Sequence, residues 1–160
     1  MSTYRREHYL AKLRPFYNDS GLIKVITGIR RCGKSSLLIT VLNELFEQGI
    51  PETNLIYLNL DRREYRNVTT PDQLDQLIEQ AMSNAYGAGL RYLFIDEVQN
   101  VKGFETVING WREEVIAPFS SLAQIPICCP ESLPRNLPAA ISSWKCSPFP
   151  FRNTSACGIS

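Results

Sequence analysis

Apolar residues at helical spacing mark three segments in the first part of the chain. Over residues 7–17 and 35–48 they recur every three to four positions, which places them on one face of a helix. Thr70 followed by Pro71 is typical of a helix N-cap and first helical position. This pair predicts a third helix that runs to about Asn84.

Three short apolar runs between these segments predict buried strands. They cover residues 22–27, 55–60 and 92–95, and they are rich in β-branched and aromatic residues. The resulting order, strand–helix–strand–helix–strand, indicates a mostly parallel sheet with helices on both faces. We therefore predict an α/β fold of three layers.

Composition and charge exclude several classes of protein. The chain has 160 residues, 44% hydrophobic and 21% charged, with a net charge of +1, so it carries no strong nucleic-acid signal. No apolar run reaches the roughly 18 residues of a membrane span. The polar N-terminus shows no secretory signal, so a cytoplasmic location is expected. The five cysteines lack C-x-x-C spacing and favour neither a zinc site nor a disulfide framework.

Residues 28–35 carry the clearest chemical signal. They fit the phosphate-loop pattern G-x-x-x-x-G-K-[ST] in full, after a predicted strand and at the start of a predicted helix. Glycines allow a tight loop whose backbone N–H groups surround an anion, and the helix N-terminus adds further donors. Lys34 can reach the β- and γ-phosphates of ATP, Ser35 can ligate Mg²⁺, and Ser36 can contact phosphate. The predicted nucleotide-binding residues are Gly28, Ile29, Arg30, Arg31, Cys32, Gly33, Lys34, Ser35 and Ser36.

Several polar residues have two interpretations. Arg30 and Arg31 can contact phosphate or a partner, or simply face solvent as most charged side chains do. Cys32 can be a redox-sensitive thiol beside a helix N-terminus, or only a small residue that fits the loop. Asp61 can belong to the site or be a solvated turn acid, and His8 is expected at the surface.

The third predicted strand ends in two acids that complete the site. In a P-loop ATPase the first acid of such a pair holds the Mg²⁺ shell opposite the loop serine, and this role falls to Asp96. Glu97 would orient and deprotonate the attacking water as a general base. An acid there favours hydrolysis over phosphoryl transfer to a small molecule. The motifs thus indicate an ATPase whose catalytic residues are Lys34 and Glu97.

The two motifs resemble those of a large prokaryotic group of AAA-type ATP-binding proteins. In that group the ATPase domain is followed by a C-terminal domain of unknown function. The resemblance rests on residues 23–35 and 94–99 with the upstream segment 9–16, and it covers residues 4 to about 114. It implies a P-loop fold with a further strand, ending in a T-G-S-N sensor, between the two motif-bearing strands. It also implies an oligomer, because AAA-type sites often need a neighbour's arginine.

The C-terminal tail, residues 115–160, differs in composition from the rest of the chain. It holds four charged residues, seven of the ten prolines and four of the five cysteines, without helical or strand periodicity. The sensor and the later G-R-Y and P-L-S-F-x-E-Y-L segments of the family are not present in it as written. We predict an N-terminal helix over 1–20, a partial ATPase core over 21–114 and an irregular tail. The sheet would then be incomplete at its C-terminal side.

A shift of the reading frame offers an explanation for the composition of the tail. When the third base of each codon is read with the first two of the next, residues 121–129 permit T-G-S-N-x-Y-L-L. Residues 138–141 permit G-R-Y, and 145–155 permit P-L-S-F-x-E-Y-L. One hypothesis is a frameshifted family sequence from about Val115, and the other is a divergent tail. The chain is then an impaired ATPase, an ATP-binding module without turnover, or a non-functional fragment.

Overall fold

A parallel β-sheet lies at the centre of the molecule. The computed structural model describes residues 6–18, 23–29, 31–85, 89–116, 122–124, 126–129 and 141–145. In these ranges the helices are α1 (Glu7–Leu13), α2 (Lys34–Glu47), α3 (Pro71–Ser83) and α4 (Phe104–Ile116). Short 3₁₀ turns cover Arg14–Phe16, Glu52–Asn54, Arg63–Tyr65 and Val98–Asn100. The strands are β1 (Ile23–Thr27), β2 (Leu55–Asn59), β3 (Arg91–Asp96), β4 (Leu122–Gln124), β5 (Pro126–Cys129) and β6 (Ile141–Lys145).

All strand pairs of this sheet are parallel. Their spatial order is β2–β3–β5–β1–β6, and β4 also pairs with β3. Strand β5 has a neighbour on each side, since Ile127 is level with Val25 of β1 and with Ile95 of β3. Parallel neighbours need long crossover connections, and helices α2, α3 and α4 provide them here. The predicted α/β fold with a parallel sheet is confirmed.

Both faces of the sheet are covered, as the three-layer prediction requires. Strand residues alternate between the faces, so Val25 and Ile95 pack on the side of α3 and α4, while Ile26 and Phe94 pack on the side of α1 and α2. One apolar cluster fills each interface. The helix residues of the first cluster include Leu74, Ile78, Phe104 and Ile108, and those of the second include Leu10, Leu13, Leu37, Leu38 and Leu45.

Three of the strands lie in the C-terminal tail, where the sequence predicts irregular structure. β4, β5 and β6 correct that prediction for residues 122–124, 126–129 and 141–145. Strand β5 lies between β1 and β3, the position at which the resemblance implies a further strand. Pro126 is the first residue of β5, which is one of the places where a strand tolerates proline. The other tail residues beyond Ile116 lie outside the described residues.

Local signals set the helix boundaries close to their predicted places. Helix α3 begins with a capping box, in which Thr70 and Gln73 each bond the other's backbone N–H through their side chains. Helix α1 is shorter than predicted, since the chain passes into a 3₁₀ turn at Pro15. None of the helices in the described part of the chain is long and apolar enough to cross a membrane.

Candidate functional site

The loop between β1 and α2 has an unusual backbone. Gly33, just before α2, is left-handed with φ +89°, and Arg31 is also left-handed with φ +61°. A left-handed backbone costs a non-glycine residue energy, and such conformations concentrate at ligand-binding sites. The Gly33 carbonyl accepts the first helical bond, from Leu37 N–H at 3.0 Å. The N–H groups at the start of α2 therefore have no helical partners and lie beside the loop.

Lys34, the first residue of α2, is directed back onto this loop. Its side chain is only 7% exposed, and Nζ donates hydrogen bonds to the carbonyl oxygens of Gly28 at 3.0 Å and Ile29 at 3.1 Å. An ammonium group has three N–H donors, and these bonds use two of them. The positive charge of Lys34 is thus held at the centre of the loop, which suits the binding of an anion.

Arg6, at the start of α1, lies against the same loop. A Cβ atom added to Gly33 would be 2.9 Å from Nη2 of Arg6 and 3.2 Å from Cζ. The glycine therefore leaves room for a guanidinium as well as for its own backbone conformation. Sequence motifs gave no sign of this contact, because Arg6 is distant in sequence and belongs to no loop pattern.

The other predicted loop residues differ in exposure. Cys32 is fully buried against α2 in the apolar cluster, which fits the interpretation of a small residue that fills the loop. Ile29 and Arg31 are exposed, Ser35 is half-buried and Ser36 is exposed. Arg30 lies outside the described residues.

Asp96, the last residue of β3, is fully buried. Its Oδ2 accepts a hydrogen bond from the hydroxyl of Tyr57, on the neighbouring strand β2, at 2.9 Å. Its Oδ1 has no hydrogen-bond partner among the described residues. A buried carboxylate oxygen without a partner is costly, and such an exception in a folded protein calls for a functional or solvent explanation.

Glu97 follows directly in a strained conformation. Its backbone is left-handed, with φ +56° and ψ +37°, and its carbonyl accepts from the N–H of Asn100 in the next turn. The side-chain amide of Gln99 donates a hydrogen bond to Oε2 of Glu97. Gln99 thus fixes one oxygen of the Glu97 carboxylate, at a turn whose backbone is strained.

Strand β5 brings the two halves of the site to one edge of the sheet. Ile127 of β5 pairs in register with Val25 of β1 and with Ile95 of β3, so β1 and β3 end at nearly the same position along the sheet. Strands two positions apart in a sheet are separated by about 10 Å. The loop of Lys34 and Asp96 therefore both lie at the carboxyl edge, where ligands bind in open α/β sheets.

The remaining polar candidates lie at the surface. Asp61 is exposed, and its backbone N–H bonds the side chain of Asn59 at 3.0 Å, which is the geometry of a solvated turn. His8 is exposed on α1 beside the ring of Tyr9. Tyr57, which contacts Asp96, was not found from the sequence, because no motif contains it and strand register is unknown before folding. Gln99 lies within the motif over residues 94–99, but its contact with Glu97 was not predicted.

The fold and the loop define the class to which this chain belongs. Residues 20–124, more than half of the chain, match the family model of the AAA domain. This match includes both halves of the site and extends into β4. The chain is a member of the AAA domain family, as its motifs predict.

Two curated relatives are similar to part of this chain. An uncharacterized protein of Haemophilus influenzae is 40% identical over 107 residues, which make up 67% of this chain and 26% of that protein. The uncharacterized protein MJ1544 of Methanocaldococcus jannaschii is 31% identical over 86 residues, 54% of this chain and 18% of that protein. The matched part thus spans about a quarter or less of these relatives. Among solved structures, C. elegans PCH-2 has a TM-score of 0.43 at 19% identity, covering 88% of this chain and 41% of that one.

Proposed function

We propose that this chain binds Mg-ATP in the loop between β1 and α2. We further propose that its turnover of ATP is impaired because the chain lacks the family's sensor sequence. The observation that carries the proposal is the placement of Lys34 and Asp96 at one edge of the sheet, on either side of β5. A buried ammonium and a buried carboxylate in a phosphate-loop setting are the two charges that Mg-ATP binding requires.

Each residue has a distinct role in this proposal. The loop N–H groups and the N-terminus of α2 bind phosphate oxygens, and Lys34 exchanges its carbonyl partners for the β- and γ-phosphates. Ser35 and Asp96 hold Mg²⁺, which when bound neutralises charge on the phosphates. Glu97 orients the attacking water and accepts its proton.

The described residues fit a magnesium ion that binds together with a nucleotide. No group of three or more His, Cys, Asp and Glu side chains in the described ranges is arranged to hold a metal by itself. A magnesium ion bound with a nucleotide needs only one or two protein oxygens, since phosphates and waters supply the rest. The partnerless Oδ1 of Asp96 is such an oxygen.

Removal of the Lys34 charge tests the binding site. We expect Lys34→Ala to weaken Mg-ATP binding about 10- to 100-fold, because a charged hydrogen bond contributes about 1.5–3 kcal/mol. The control is Lys102→Ala, which removes an exposed lysine in the turn before α4. Calorimetric titration with ATP and MgCl₂ measures both, and thermal unfolding confirms that each variant is folded. Equal affinity of wild type and Lys34→Ala would refute the site.

A second candidate function is ATP binding without turnover. Strand β5 occupies the place between the motif-bearing strands, but it reads Pro126-Ile127-Cys128-Cys129 and contains no T-G-S-N. Phosphate release from wild type and Glu97→Gln distinguishes the two functions. Turnover that is lost in Glu97→Gln supports the ATPase, whereas Mg-ATP binding with no turnover in wild type supports the binding module.

A non-functional frameshifted fragment is the third candidate. The family segments that a shifted reading frame permits support this candidate. The family match speaks against it, because it runs to residue 124, past the proposed change of frame at about residue 115. Sequencing the coding DNA decides, since stops or unrelated residues in the shifted frame would exclude it. Oligomeric assembly and a cytoplasmic location belong to the same proposal and are tested by sedimentation and fractionation.

A further inference from the structure

Tyr57 lies outside both sequence motifs but contacts the proposed magnesium ligand directly. Its hydroxyl donates to Oδ2 of Asp96 at 2.9 Å. Asp96 is fully buried, and Oδ1 has no hydrogen-bond partner in the described part of the chain. One oxygen of this carboxylate is therefore held by the protein, and the other keeps its capacity to accept.

Strand register explains how Tyr57 reaches the carboxylate. Asn59 of β2 is opposite Asp96 of β3, and Tyr57 is opposite Phe94. Side chains alternate along each strand, so Tyr57 and Asp96 are diagonal neighbours on one face of the sheet. Parallel strands lie about 4.8 Å apart and rise about 3.3 Å per residue, so such neighbours are about 8 Å apart at the backbone, a distance that an aromatic side chain spans.

The contact restricts the orientation of Asp96. Rotation of a carboxylate about its last bond is broad and roughly two-fold, so the two oxygens exchange easily without a fixed donor. The Tyr57 hydroxyl binds Oδ2 and leaves Oδ1 as the oxygen that can face a cation or its waters. Partners of this kind, one shell removed from the metal, commonly change metal affinity or activity 10- to 100-fold.

We propose that Tyr57 is a positioning residue, which orients Asp96 so that Oδ1 faces the nucleotide-bound Mg²⁺. This inference rests on the proposed function. It assigns Tyr57 to the magnesium half of the site, with no direct part in binding the nucleotide. Loss of its hydroxyl must therefore weaken the coupling between Mg²⁺ and nucleotide.

The test compares Tyr57→Phe with Tyr92→Phe. Both variants keep an aromatic ring packed on the same face of the sheet, where Tyr92 is buried and Tyr57 is partly buried. Each variant loses a hydroxyl hydrogen bond, since Tyr92 donates to Asn18 at 3.0 Å. Affinity for a non-hydrolysable ATP analogue is measured by calorimetry in MgCl₂ and in EDTA. For Tyr57→Phe we expect the ratio of the two affinities to fall about 10-fold or more, with the EDTA affinity unchanged. Tyr92→Phe should keep the wild-type ratio.

A double-mutant cycle shows whether Tyr57 acts through Asp96. In an Asp96→Asn background the further change Tyr57→Phe should leave the ratio unaltered, because the group that it positions has lost its charge. An equal ratio in wild type, Tyr57→Phe and Tyr92→Phe would overturn the inference and leave the proposed function intact. Failure of the wild-type chain to bind the analogue in MgCl₂ would overturn the proposed function, and this inference with it.

Discussion

Gly33 shows how much one residue of the loop depends on being glycine. Its φ of +89° is a conformation that costs other residues roughly 1–2 kcal/mol, and an added Cβ would lie 2.9 Å from Nη2 of Arg6. Gly49, just after α2, has a similar φ of +93° but nothing within 4 Å of the Cβ position. Both glycines therefore have a left-handed backbone, but only Gly33 also lies close to another side chain, that of Arg6.

We expect Gly33→Ala and Gly49→Ala each to lower the free energy of unfolding by about 1–2 kcal/mol, because both force alanine into the left-handed region. Urea unfolding measures this loss. Only Gly33→Ala should also weaken ATP binding, since its methyl group displaces Arg6 and alters the loop. A Gly33→Ala variant with wild-type affinity would contradict the assignment of this loop to nucleotide.

At the scale of elements, a buried carboxylate joins the segment just after helix α1 to helix α2. Glu44 of α2 accepts hydrogen bonds from the hydroxyl of Tyr17 at 2.9 Å and from Nη2 of Arg14 at 2.7 Å. Arg14 also pairs with Glu7. Burial, followed by the hydrogen bond to Glu44, raises the pKa of Tyr17 far above its ordinary value of 10.0. The segment that contains Arg14 and Tyr17 is thereby fixed to α2.

The raised pKa of Tyr17 predicts a loss of stability in alkali. The pKa of Tyr17 is higher in the folded than in the unfolded state. The contribution of its protonated hydroxyl to the free energy of unfolding is therefore complete below pH 10. It is lost as the pH rises above 10, by up to about 1.4 kcal/mol per pH unit. We expect Tyr17→Phe to be about 1–3 kcal/mol less stable at pH 7, where it lacks the bond to Glu44. Its melting temperature should fall less steeply than that of wild type between about pH 10 and 12. Parallel profiles above pH 10 would show that Tyr17 does not titrate with unfolding.

Local pattern predicted those elements whose signals lie within their own residues. The strands β1–β3 and the helices α2 and α3 are examples, because a period, a cap or a bounding glycine marks each of them. The proposed nucleotide loop and its two acids likewise carry their signal in adjacent residues, and their roles stay a prediction. Strands β4–β6 were not predicted, since they are short and lie among prolines, and β5 is set by partners that lie far away in sequence. The contact of Tyr57 with Asp96 was missed because it depends on the register of two strands.

For the whole molecule, the site exists only if the sheet is continuous from β1 to β3. In the described residues β5 is the strand that pairs with both, through Ile127 on either side. The loop and Asp96 come from segments joined by long crossovers, so their separation is set by this pairing. The C-terminal tail, despite its different composition, therefore contributes to the geometry of the proposed nucleotide site.

A proline at position 127 tests this dependence. Ile127→Pro removes an N–H donor from the middle of the sheet and leaves a buried carbonyl without its partner, at a cost of about 1–3 kcal/mol before steric effects. We expect it to lower the melting temperature sharply and to abolish Mg-ATP binding. Ile127→Val, which keeps the backbone donor and a β-branched side chain, should retain both. If Ile127→Pro instead binds Mg-ATP as wild type does, β5 is not the strand that holds Lys34 and Asp96 together.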